Sequence, residues 1–284
     1  MESSKRLSKQ QLVSIDKRLG ERDRLVLEAI RKCRYLTTDQ IQRLYFKNSS
    51  CHAAALRAAN RMLVKLKGFD LIAPLKRRIG GVRAGSGSYV WNLDEAGARL
   101  LNLNNQEADI IKRKRSFEPS PRFLEHTLAA AEIYVRLNQV ADKHENVRLL
   151  KTELEPDCWR MYIGALGTAS YLKPDIYAVT SDGEYEDHWF FEIDLETESP
   201  VRIVSKCQQY CKYYLSGTEQ KTKGVFPLVA WIVPNQKRAE SIHSHIMQEP
   251  FLERKDIFLI TTTDLLEKLI CEGDDVFRSD AFKK

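Results

Sequence analysis

"YLKPDIYAV" (Tyr171–Val179) and "FFEIDLETES" (Phe190–Ser199) decide how the second half of this chain is read. Both have the apolar run of a buried strand, yet Asp175, Glu192 and Asp194 place carboxylates at their ends. Glu192 and Asp194 are two residues apart, so on a strand they share a face. Buried like charges repel, and each is costly to desolvate. The simplest compensation is a divalent cation.

Working outward, the two stretches flank a turn at Ser181-Asp182-Gly183, which predicts a β-hairpin. Upstream, "PRFLEHTLAAAEIYVRLNQVADK" carries Leu124, Leu128, Ala131, Val135 and Leu137 on one side of a predicted helix. Glu125, His126 and Glu132 are its polar residues available to a site, and "NVRLLKTELEP" reads as a strand. Downstream, Pro200 to Leu215 reads as a helix, "FPLVAWIVPN" as an interior strand, "AESIHSHIMQEPF" as a helix, and "DIFLITTTDLLEKL" as a last strand and helix. The order α-β-β-β-α-β-α-β predicts a mixed sheet with flanking helices.

The first half differs in charge. Residues 1–122 carry 26 Lys and Arg against 12 Asp and Glu, and the remainder carries 19 against 27. A basic half joined to an acidic half suggests a polyanion-binding module followed by something else. Three predicted helices, the last "SSCHAAALRAANRMLVKLKGF", precede two short strand-like runs near Leu71–Leu75 and Tyr89–Leu93. That is the order of a winged helix-turn-helix. Arg57, Arg61 and Lys65 lie off the apolar stripe of the third helix and are candidates for bases or phosphates, with Lys76, Arg77, Arg78 and Arg83 along the wing as phosphate contacts. The first helix is expected to bury Leu25, Leu27, Ile30 and Cys33. A linker with the basic cluster Lys112–Arg115 follows.

The expected fold class is therefore α+β, with a flexible N-terminus (1–20), a winged helix (21–104), a linker (105–121) and a mixed α/β domain (122–284). The six cysteines show no CxxC spacing and read as reduced thiols. No run is long and apolar enough to span a membrane, and the first twenty residues lack a signal-peptide core. The expected location is cytoplasmic.

In the second half, Pro174-Asp175 followed by Glu192-Ile193-Asp194 resembles the PD-(D/E)xK nuclease core, with Asp194 where that family has lysine. The resemblance implies two carboxylates holding Mg2+ or Mn2+ for phosphodiester chemistry. Lys206 on the following helix is the candidate for the displaced lysine, with Gln209 one turn on as an accessory. Asp194 then reads either as a third metal ligand or as a mark of lost catalysis. Over most of its length, through "FLEHTL", "KPDIYAV" and "FEIDLETES", the chain is similar to the replication-relaxation family, which includes the MobC-type relaxases of mobilisable plasmids. That resemblance implies an origin-binding protein that nicks double-stranded DNA in replication or mobilisation, with relaxosome or replication proteins as partners and a homodimer compatible. The alternatives are a non-catalytic origin-binding accessory and a transcription regulator with a degenerate nuclease fold. A tyrosine nucleophile from Tyr210, Tyr213 or Tyr214 is a lesser option beside water. His243-Ser244-His245 reads as a surface pair on a helix.

Overall fold

Several helices begin at a capping side chain. Ser8 accepts a hydrogen bond from the Gln11 N–H at 3.2 Å, and Gln11 accepts from the Ser8 N–H at 2.7 Å. This capping box starts α1 (Lys9–Asp16), which buries Leu12. Within the segment expected to be flexible, residues 9–16 form this helix, held by buried Leu12 and by Arg24, which donates to the Asp16 carbonyl at 2.7 Å. The computed structural model describes residues 6–47, 51–76, 88–103, 118–164, 167–250 and 252–281, with side chains through Gly273.

The chain divides into two compact units, Met1–Val135 and Arg136–Lys284. The division falls within the long helix α6 (Pro121–Lys143), not in the 105–121 segment where composition suggested it. The first turns of α6 add Leu124 and Leu128 to a core with Leu75 and Val90, which ties them to the first unit.

In the first unit, α2 (Glu21–Cys33) buries Val26, Leu27, Ile30 and Cys33. Leu25, expected inside, is 46% exposed, because the stripe runs through Val26 instead. A short strand missed in the sequence, β1 (Tyr35–Thr37), leads into α3 (Thr38–Tyr45), capped by Thr37 and Gln40 in a second capping box. Helix α4 (His52–Gly68) buries Ala55, Ala59, Leu63 and Leu66. Strands β2 (Ile72–Pro74) and β3 (Val90–Leu93) pair antiparallel, and β1 adds to the other edge of β3, giving the order β1-β3-β2. Helix α5 (Glu95–Leu101), capped by Asp94, closes this unit's small sheet.

Gly97 on α5 explains how closely that helix approaches β2. A Cβ there would lie 2.2 Å from the Leu71 carbonyl oxygen, a backbone atom that cannot swing aside. Gly97→Ala is expected to cost about 1–3 kcal/mol by overpacking. Gly68→Ala, with nothing within 4 Å, is the control that thermal melts should show to be unharmed.

The second unit is built on a five-stranded sheet of order β10-β9-β8-β7-β4. Strands β4 (Arg148–Leu154), β7 (Ile176–Ser181) and β8 (Glu186–Ile193) are antiparallel neighbours, while β9 (Leu228–Val233) and β10 (Phe258–Thr262) continue it in parallel with β8. Tyr171–Val179, read as one strand, is two. The hairpin β5 (Arg160–Ile163)–β6 (Ala169–Leu172) ends at Leu172, and β7 starts after Lys173-Pro174-Asp175. Proline removes a ladder donor and breaks the run there.

Helices α7 (Pro200–Ser216), α8 (Thr218–Lys223), α9 (Gln236–Gln248) and α10 (Leu266–Ala281) complete the unit. Ile203, Cys207 and Tyr210 from α7 and Ala239, Ile242 and Ile246 from α9 pack on Phe190, Trp231 and Ile260 of the sheet. Each of the isoleucines and the phenylalanine among them contributes about 1.5–3 kcal/mol relative to exposure. The molecule is thus mixed α+β with a mixed sheet. Among the described residues no helix is long and apolar enough to cross a membrane.

Candidate functional site

The turn from antiparallel to parallel pairing at β8 brings the acids together. Because β7 runs against β8, the start of β7 lies beside the end of β8, with Ile176 opposite Phe191. Because β9 runs with β8, its C-terminal end lies there too, with Ile193 opposite Ile232. Asp175, immediately before β7, reaches across and accepts the Ile193 N–H at 2.7 Å. Ligands in mixed α/β sheets commonly bind outside such strand ends.

Helix α7 supplies the cation. Ser199 caps it and Pro200 occupies its first turn, which fixes where the helix starts. Lys206 and Tyr210 are one turn apart and both face Glu192. Lys206 Nζ donates to one Glu192 oxygen and the Tyr210 hydroxyl donates to the other. Glu192 and Tyr210 are buried, whereas about a quarter of the Lys206 side chain, 26%, reaches the surface. Gln209, proposed as the accessory group, is exposed, and the described contacts of Glu192 come from Lys206 and Tyr210. An i,i+4 step from Lys206 would have pointed to Tyr210 instead.

Lys206 pairs with Glu192, and the charge of the buried Asp175 acts on both. Burial pushes Glu192 up to about 8, the Asp175 charge adds to this, and Lys206 and Tyr210 oppose it. Burial alone would lower Lys206, but Glu192 and Asp175 outweigh it and the lysine is raised, so it stays charged at neutral pH. Tyr210 is raised well above the usual phenol range by burial and by Glu192.

Asp194 takes a different partner. It lies just past β8, its N–H bonded to the Ile232 carbonyl at 2.9 Å. Its Oδ2 accepts from Arg238 Nε on α9 at 2.6 Å, and its Oδ1 accepts the Glu196 N–H at 3.1 Å. Arg238 also donates to the Glu198 carbonyl at 2.6 Å. Among the described residues no group of three or more His, Cys, Asp or Glu side chains is placed to hold a metal ion. Strand pairing and α7 place Asp175, Glu192 and Lys206 at one end of the sheet, and Asp194 is ion-paired with Arg238. Nothing in the sequence pattern marked Arg238, which lies 44 residues from Asp194.

Of the helix residues offered to the site, Glu132 is held within the first unit by Arg43, at 2.9 Å from Nη1, and by Gln40 at 3.3 Å. His126 is half-buried on α6 in that same unit. The three tyrosine hydroxyls of α7 are all engaged, Tyr210 on Glu192, Tyr213 on Glu219 and Tyr214 with Arg254. His243 is half-buried and His245 exposed on α9, and His245 Nδ1 lies 2.7 Å from the Ser241 carbonyl.

In the first unit, Arg57 and Arg61 are exposed on α4 and Lys76 is exposed after β2. Lys65 is tied to the buried Asp23 at 2.6 Å. Arg77, Arg78, Arg83 and the Lys112–Arg115 cluster lie outside the described residues.

A family model described as replication-relaxation matches residues 27–229. The chain belongs to the replication-relaxation family. The family points to a role in plasmid or mobile-element replication and relaxation. No curated protein and no solved structure matches the chain. The replication-relaxation match covers Asp175, Glu192, Asp194, Lys206 and Tyr210, and it ends within β9, before Arg238.

Proposed function

We propose that this replication-relaxation protein binds duplex DNA through its first unit, used as a winged helix, and cleaves one strand with a PD-(D/E)xK-type site in its second. The observation that carries the reading is the convergence of Asp175, Glu192 and Lys206 at one end of the mixed sheet. The donor set suits Mg2+ or Mn2+ held by two carboxylates. Mg2+ in particular is commonly bound by one or two carboxylates, with waters and substrate phosphate filling the remaining positions. Asp175 and Glu192 would hold the ion, with Asp194 left outside the set. When bound, it would polarise the scissile phosphate and lower the pKa of the attacking water.

The chain's own groups do the rest. Tyr210 fixes one oxygen of Glu192, and the Ile193 N–H fixes one oxygen of Asp175. Lys206 presents its partly exposed ammonium to the charge that develops on the phosphate oxygens. Water adds to phosphorus, the bond from phosphorus to one ester oxygen breaks, the water loses a proton to solvent, and the departing oxygen takes one up. The cut strand is left with one phosphate end and one hydroxyl end.

A second reading, a non-catalytic origin-binding accessory or regulator, is favoured by Asp194, which stands at the lysine position and is locked to Arg238. Incubation of supercoiled plasmid carrying the element's own origin with Mg2+ or Mn2+ separates the two. Open circles are expected with the native protein and are expected to fall at least a hundredfold in Asp175→Ala and Glu192→Ala. Equal nicking by those variants would remove the site assignment, and no nicking beside intact origin binding would favour the accessory.

A further inference from the structure

We infer that the outer face of α4 is a base-reading surface for the DNA major groove, with Asn60 and Val64 as specificity-determining residues alongside Arg57 and Arg61. This rests on the reading of the first unit as a DNA binder. Ala55, Ala59, Leu63 and Leu66 mark the buried arc of the helix. At 100° per residue the opposite arc carries Arg57, Asn60, Arg61 and Val64, all exposed or half-turned to solvent. Val64 is 67% exposed, among the most exposed large apolar residues described. The 17-residue helix contains no Asp or Glu, so nothing on this face repels a polyanion.

The residue types match base edges. An arginine fork pairs with guanine O6 and N7, asparagine with adenine N6 and N7, and an apolar side chain with the thymine methyl. Arg57, Asn60 and Arg61 have no hydrogen-bond or ion-pair partner among the described residues, so their donors and acceptors remain available. Lys65 is already held by Asp23, which removes it from the reading set and leaves it to brace α4 against α2. A helix kept merely soluble needs charge on this arc but has no use for an asparagine and a valine beside the two arginines.

The test uses the full chain and a library of duplexes with a randomised core, selected at physiological salt. The wild-type protein should enrich sites holding guanine beside an A·T pair. Asn60→Ala and Val64→Ala should each relax preference at one position by about tenfold, with little loss on an unselected mixed-sequence duplex. Lys67→Ala, exposed but off the centre of the arc, should weaken all sequences equally and lower the salt slope by about one. If Asn60→Ala and Val64→Ala enrich the wild-type sites unchanged, the face touches only phosphate and the inference fails. If the wild-type chain binds neither the library nor the mixed-sequence duplex, the DNA-binding reading itself fails. All three substituted side chains lie on the surface, so thermal melts of the variants should match the wild type.

Discussion

Replacing Arg238 with alanine is expected to destabilise the protein by about 3–5 kcal/mol, the usual cost of leaving one member of a buried ion pair alone. The Asp194 side chain is 0% exposed and that of Arg238 10%. The guanidinium serves both the Asp194 carboxylate and the Glu198 carbonyl, so its loss orphans two acceptors. For a unit of this size the melting point should fall by roughly 10 °C. Removing both charges together, as in Asp194→Leu with Arg238→Met, should recover most of the loss, because a pair of this kind contributes little net stability over an apolar substitute. Urea titrations check both. A single-variant loss under about 1 kcal/mol would mean the pair is solvated. Nicking gives the independent readout: Asp194→Asn should retain activity that Asp175→Ala abolishes.

Stability should also fall as pH rises from about 4.5 to about 8. Glu192 is held near 8 in the fold against an ordinary value of 4.5. Below 4.5 both folded and unfolded chains hold the proton and the group is neutral to folding. Between the two values the unfolded chain releases it while the fold retains it, so unfolding gains on the order of a few kcal/mol. Above about 8 the effect levels off. The groups facing Glu192 are Asp175, Lys206 and Tyr210. Lys206 and Tyr210 are shifted upward, away from this window. Glu192→Gln keeps the shape and removes the proton exchange. Its denaturation midpoint should be nearly flat with pH where the wild type slopes down, and a parallel slope in both would assign the titration elsewhere.

Much of this architecture could be read from the residues. The antiparallel pair around Gly183, the α7 helix with Cys207 and Cys211 inward, and the β9 run all follow from period and turn chemistry. Local signals did less well where one residue decides: Leu25 against Val26 on α2, or the break at Pro174 that divides β6 from β7. Asp175 and Glu192 were expected at neighbouring strand ends from the hairpin reading, and Lys206 came from the resemblance to the PD-(D/E)xK core; the structure places Lys206 on Glu192. The fate of Asp194 was not. Its partner comes from α9, and no spacing rule links a strand end to a helix that distant in the chain. Tyr210, offered as a lesser nucleophile option, is core, and the position of its hydroxyl depends on how α7 sits over β8.

The short connection from Asp194 to Ser199 acts as a ruler. One end is pinned by Arg238 and the other by the α7 cap. Adding or deleting a residue between Ser199 and Lys206 would turn Lys206 by about 100° around the helix, away from Glu192, and would drag Cys207 and Tyr210 out of the core with it. Length variation in the second unit should therefore be absorbed at the Asp182–Tyr185 turn and excluded from the segment leading into α7.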